Sequence, residues 1–152
     1  QIISAITKTD WKVDMLGQAA SYDEAVAETL RGASEGFYSM APMLVIDPKT
    51  ASGEAKAFVE EYRKQFGKEP NFAAQIGYTG AQIVVKALQN AGKDLTADSF
   101  IKGMEQIKDY HDAFGSPPIS FGPDKHQGSN ESFLCQIKDG HWVQAVDKPL
   151  GY

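Results

Sequence analysis

The sequence predicts an α/β protein, and three observations carry that reading. Trp11 to Leu30 follows a strand–loop–helix pattern, Gly53 to Lys108 holds three amphipathic helices in succession, and Asp139-Gly140 sits between two strand-like runs. Two or three strands outside the hairpin are too few to cover five helices in the usual α/β layers. An α+β domain with a small mixed sheet is the alternative that this imbalance leaves open.

At 152 residues, with 42% hydrophobic and 11% aromatic residues, the chain can bury a sizeable core. Fifteen basic and twenty acidic residues give a net charge of −5, and no basic run offers a nucleic-acid footprint. Membrane insertion is not expected, because the apolar stretches break well before the ~20 residues that span a bilayer. Cys135 is the single cysteine, which excludes an internal disulfide and a cysteine-built metal site. It lies in an alternating run and reads as a small buried thiol.

The chain opens on Gln-Ile-Ile-Ser-Ala-Ile, already a helical pattern, with no signal-peptide pattern; that is the opening expected of a chain starting mid-protein. Trp11, Val13 and Met15 then alternate with Lys12 and Asp14, predicting a strand that runs into Leu16 and Gly17. A loop follows at Gln18 to Ala20. Ser21 with Glu24 has the spacing of a capping box, so a helix is expected from Tyr22 to about Leu30, stopping near Gly32. Gly36 to Met40 predicts a second strand, with Met43 to Ile46 continuing extended until Pro48 ends the run.

The three central helices are expected over 53–66, 71–91 and 97–108, the last capped by Thr96. Phe58, Val59, Tyr62 and Phe66 form the core stripe of the first, and Glu60 with Lys64 offers a surface ion pair. In the second, Ile76, Gly80, Ile83, Val84, Ala87, Leu88 and Ala91 recur at helical spacing. Ala73, Ala74, Tyr78, Ala81 and Val85 make its opposite side apolar too, so the helix is expected to be buried on most sides. Gln75, Tyr78, Thr79 and Gln82 give its first half polar groups able to face a cleft. Ile119 to Phe121, 133–138 and 141–146 read as strands. The last two meet at a type I′ turn on Asp139-Gly140, which sets Ile137 opposite Trp142.

The sequence is poor in catalytic signals. Cys135, His111, His126 and His141 stand in scattered contexts without a nucleophile elbow, so a hydrolase or amidase has no motif to rest on. Asp124 and His126 fall among Gly122, Pro123 and Gly128, where a turn is the simpler account than a metal site. Neither a Walker loop nor GxGxxG occurs, and the adjacent acids Glu60-Glu61 and Asp23-Glu24 point apart on a helix. No catalytic residue, metal or cofactor is therefore assigned. Binding is left. The loop of Gln18, Ala19 and Ala20 leaves the carboxyl end of a strand, where open α/β sheets place ligands, and it is uncharged. Gln75 and Tyr78 join it as candidate ligand residues, and Tyr22, Phe37 and Tyr38 as possible aromatic walls.

Five segments together carry a resemblance: WKVDMLGQAAS, GASEGFYSMAP, FVEEYRKQFGKEP, YTGAQIVVKALQNAGKDLT and ISFGPDKHQGSNESFLCQIKDGHWV. In this order and spacing the chain resembles the leucine/isoleucine/valine-binding-protein family, the periplasmic substrate-binding component of branched-chain amino-acid type ABC transporters. The resemblance implies the C-terminal portion of a type I periplasmic-binding-protein fold, two-lobed with three α/β/α layers. Residues 1–38 and 131–152 would then belong to the second lobe and 51–115 to the first, with hinge crossings at 39–50 and 116–130. It also implies a non-enzymatic role outside the cytoplasm, with a small solute and a transporter permease as partners. Amino-acid-binding members carry an acidic residue in the loop after the first strand; here that position falls on Ala19. The resemblance thus leaves amino acids and small aromatic or aliphatic carboxylates open as solutes. A ligand-sensing extracellular domain of a receptor or regulator with the same fold is the alternative function.

Overall fold

The computed structural model describes residues 2–29 and 32–151, which divide into two compact units. Unit 1 takes Gln1–Val45 and Glu131–Tyr152; unit 2 takes Ile46–Asn130.

Unit 1 is a sheet with two short helices. Helix α1 spans Ile2–Ile6, strand β1 Leu16–Gly17, helix α2 Glu24–Thr29 and strand β2 Tyr38–Ala41. Strands β3 (Glu131–Lys138), β4 (His141–Gln144) and β5 (Leu150–Gly151) follow from the far end of the chain. The strand order is β1-β2-β3-β4, with β5 also paired to β3. β1 runs parallel to β2, whereas β2, β4 and β5 are antiparallel to β3. The hairpin forms as expected. Asp139 and Gly140 take φ of 53° and 75°, and Ile137 pairs with Trp142. Its tip is held from outside the hairpin, because the Glu35 carboxylate accepts the Asp139 and Gly140 N–H groups at 3.0 and 3.4 Å. Ala27, Phe37 and Ile137 form a core against which Ile3, Met15, Val26 and Trp142 pack.

Two expectations fail in unit 1. The strand predicted from Trp11 shrinks to Leu16–Gly17, although Tyr38 N–H already donates to Met15 C=O at 2.8 Å. Trp11 and Val13 are exposed, since alternation confers strand character only where a neighbouring backbone pairs with it. The capping box at Ser21 is absent too. A 3-10 turn at Ala19–Ser21 occupies Ser21, and Asp23 Oδ1 accepts the Ala25 N–H at 2.8 Å instead. The expected helix end at Leu30 lies outside the described residues. β2 ends at Ala41, so Met43 to Ile46 are not strand.

Unit 2 has no strand among its described residues. It holds helices α3 (Gly53–Phe66), α4 (Phe72–Ala91) and α5 (Ala97–Glu105). Asn71 caps α4 through the Ala74 N–H, and Thr96 with Ser99 closes a capping box at α5. α5 stops at Glu105, short of Lys108. Ile107 N–H bonds Met104 C=O in a tighter turn, and Asp109 then takes φ of 49°, which a right-handed helix does not allow. The backbone continues into a Tyr110–Ile119 bridge, the remnant of the strand expected at Ile119 to Phe121. On α3 the ion pairs are Lys56–Glu60 and Lys64–Glu61 rather than Glu60–Lys64. Helix α4 is not buried on most sides. Phe72, Gln75, Thr79 and Ala87 are buried, but Ile76, Val84, Val85 and Leu88 are 38–48% exposed.

Candidate functional site

The loop beyond β1 is shaped by what Gly17 lacks. A Cβ on Gly17 would stand 2.1 Å from Ser21 Oγ and 2.7 Å from Phe37 Cζ, so the hydroxyl of Ser21 fills the place of a side chain. That lets the chain turn back as the 3-10 turn, with Ser21 N–H donating to Gln18 C=O at 2.8 Å. Gly17 pairs in register with Ser39 of β2, a fully buried residue. Ser21 Oγ lies 2.7 Å from Gln18 O, Ser39 Oγ lies 3.0 Å from the same oxygen, and the two hydroxyls are 3.0 Å apart. The backbone of Gln18 is thereby drawn inward, while Gln18 and Ala20 remain exposed and Ala19 is half-buried.

Gly17→Ala should accordingly lower stability by roughly 1–3 kcal/mol, the usual cost of overpacking, because Ser21 and the buried Phe37 must both move. Chemical denaturation measures it; an unchanged midpoint would mean that the loop yields freely.

Behind the loop stands Tyr22, buried, with its hydroxyl accepting the Val45 N–H at 3.1 Å. Burial pushes its pKa well above the ordinary tyrosine value, so the phenol stays neutral in the core rather than forming an exposed aromatic wall. Trp142 packs on it with centroids 4.9 Å apart and donates its indole N–H to Asp23 C=O at 2.9 Å. Cys135, also buried, has its thiol pKa raised by burial, which keeps it protonated and unreactive.

In unit 2 the sequence-predicted residues separate by role. Gln75 is fully buried, and its Oε1 accepts the Ile46 N–H at 3.1 Å, so that amide oxygen ties α4 to the backbone at the start of the unit. Tyr78 is half-buried and donates its hydroxyl to Glu54 Oε1 at 3.3 Å. Its ring joins Phe58 and Phe114, with centroid separations of 4.7 and 5.8 Å. Burial foremost, then Glu54, Asp112 and Tyr78 nearby, raise the Tyr110 pKa, which favours the neutral phenol. Thr79 turns inward and donates to Asp112 Oδ2 at 2.9 Å.

Gln18, Ala19 and Ala20 thus share one loop of unit 1, whereas Gln75 and Tyr78 share one helix of unit 2 with Gln75 inward. Residue patterns gave no signal for the distant pairings of Ser39 with Ser21, Glu54 with Tyr78 and Asp112 with Thr79, which are 18, 24 and 33 positions apart in sequence. No group of three or more metal-ligating side chains gathers among the described residues.

The family described as "Periplasmic binding protein" matches residues 1–141 of the chain. The chain belongs to the periplasmic binding protein family. Solved structures place the family fold over nearly its whole length. A branched-chain amino-acid ABC transporter protein from Thermus thermophilus, solved with bound valine, is 18% identical with a TM-score of 0.83; the match covers 99% of this chain and 42% of that one. A fatty-acid ABC transporter substrate-binding protein from Thermomonospora curvata is 25% identical with a TM-score of 0.75, covering 98% and 40%. A leucine-binding protein from Thermotoga maritima is 20% identical with a TM-score of 0.71, covering 95% and 40%. This periplasmic binding protein family member therefore spans about 40% of the length of its solved relatives. None of the curated proteins matches it.

Proposed function

We propose that the chain forms part of an extracytoplasmic solute-binding protein of an ABC transporter, without enzymatic activity, which takes up a small carboxylate and delivers it to a permease. The observation that carries this reading is the family match over residues 1–141. The unit boundaries at Val45–Ile46 and Asn130–Glu131 support a two-lobed reading with crossings near 39–50 and 116–130. Hinge closure about those crossings would hold the solute between lobes, the binding energy favouring the closed state.

The candidate ligand residues are Gln18, Ala19 and Ala20 in unit 1 and Gln75 and Tyr78 in unit 2. The loop has no carboxylate to pair with a ligand ammonium, and a poorly compensated buried charge costs several kcal/mol. Aliphatic and aromatic acids are therefore expected to bind at least as tightly as amino acids. Isothermal titration against a panel of both classes tests this. Saturable one-to-one binding of a carboxylate is the expected result. Silence across the panel, or turnover of a bound compound, would refute the reading.

A further inference from the structure

We infer that Ser39 is the positioning residue of the candidate binding loop, a buried latch that acts on Gln18, Ala19 and Ala20 without touching solute. The inference rests on the solute-binding reading for its functional part and on unit 1 alone for its geometry. Three donors converge on the Gln18 carbonyl: Ser21 N–H at 2.8 Å, Ser21 Oγ at 2.7 Å and Ser39 Oγ at 3.0 Å. A carbonyl oxygen has two lone pairs and each hydroxyl one proton. Ser39 Oγ also lies 3.5 Å from Met40 C=O, a contact at the limit of hydrogen-bond length, and the shorter bonds to the loop resolve in two ways. Either Ser21 donates to Gln18 and Ser39 donates to Ser21, or Ser39 donates to Gln18 and Ser21 donates to Ser39.

Ser39 closes the ring in both arrangements. Being fully buried on β2, it has no water to substitute for these partners, so its hydroxyl is held to the loop. The strand face at this register leaves room for the contact only because residue 17 is glycine, whose missing Cβ is replaced by Ser21 Oγ. A sheet residue thus dictates the path of a loop whose exposed side chains, Gln18 and Ala20, are uncharged. Within the turn only Ser21 Oγ bonds Gln18 C=O by a side chain, and Ser39 ties that pair to the sheet.

Hydrogen exchange and titration on wild type, Ser39→Ala, Ser21→Ala and the double variant test this. In Ser39→Ala the Ser21 and Tyr22 amides, which donate to Gln18 and Ala19 carbonyls, should exchange about five- to tenfold faster, the equivalent of one lost hydrogen bond. The Ile137 amide, bonded to Phe37 C=O in the sheet, should not change. Affinity for the carboxylate found in the panel should fall by about the same factor, and the double variant should be no worse than either single one. Unchanged exchange at Ser21 and Tyr22, equal acceleration at Ile137, or additive single effects would each overturn the latch. Faster loop exchange with unaltered affinity would overturn its role in binding. A wild type that binds nothing would sink the proposed function instead, while the exchange data still decide the latch.

Discussion

Replacing Gly103 with alanine is expected to destabilise unit 2 by about 3 kcal/mol, at or beyond the upper end of overpacking penalties. Gly103 is buried in α5 where it meets α4. A Cβ there would lie 2.3 Å from the Ala87 carbonyl oxygen, 3.1 Å from Ala91 N and 3.3 Å from Ala87 C. All three are backbone atoms of a helix, which cannot rotate aside as a side chain can. Ala87 is itself fully buried, and Asn90 donates across the same contact to Gly103 C=O at 3.0 Å, so separating the helices breaks that bond as well. The better helix propensity of alanine offsets only about 1 kcal/mol of the cost. Gly77→Ala provides the contrast. A Cβ at that position of α4 meets nothing within 4 Å, so propensity acts alone and the variant should gain up to about 1 kcal/mol. Urea unfolding followed by circular dichroism reads both, and a Gly103→Ala midpoint equal to that of wild type would show that the two helices are not in the contact described.

The pairing of Gly103 with Ala87 was beyond reach of the sequence for the same reason that Ser39 was. Periodicity ranks residues by polarity along one element; it carries no information about which backbone lies opposite. Where the signal is local, the sequence was sufficient at the hairpin and at α5, though not at Ser21, whose capping-box spacing is overridden by the 3-10 turn. Asp139-Gly140 dictates its turn through φ preference alone, and Thr96 caps a helix that begins one residue later, whereas Asn71, expected inside its helix, proves to be the cap. Trp11 to Met15 shows the limit from the other direction. Its alternation is that of a half-buried strand, yet only Leu16 and Gly17 acquire a ladder, because β2 offers four residues and β1 pairs along a single edge. Helix α4 is similar: Ile76, Val84, Val85 and Leu88 are apolar and exposed together, so composition foretold a burial that the chain's own elements do not supply. At the candidate site, the loop position was legible from the strand end, whereas the direction of Gln75 depended on Ile46, 29 residues away.

Asp112→Ala is expected to cost unit 2 about 3 kcal/mol, since it removes the acceptor of four hydrogen bonds and leaves buried donors unpaired. Oδ1 accepts the Phe114 and Ser116 N–H groups, each at 3.0 Å, which shapes the turn that follows Asp112. Oδ2 accepts the Ser116 hydroxyl at 2.5 Å and the Thr79 hydroxyl at 2.9 Å, joining that turn to α4. Thr79 and Ser116 are 4% and 9% exposed, so water replaces the lost carboxylate poorly at either hydroxyl. Asn is the discriminating substitution. Its amide oxygen can still serve the two backbone donors, while its NH₂ group can only donate, obliging both hydroxyls to turn and accept. Asp112→Asn should therefore retain most of the turn and lose about 1 kcal/mol, whereas Thr79→Val, which removes one bond and no backbone contact, should lose a similar amount. Amide exchange at Phe114 and Ser116 separates these cases: it should accelerate in Asp112→Ala, stay near wild type in Thr79→Val and change little in Asp112→Asn. Equal behaviour of all three variants would mean that the carboxylate does not organise the turn. If it does, the segment from Tyr110 to Ser116 is tied to the same face of α4 that carries Gln75, so one helix fixes the backbone near both ends of unit 2, at Ile46 and just before residues 116–130.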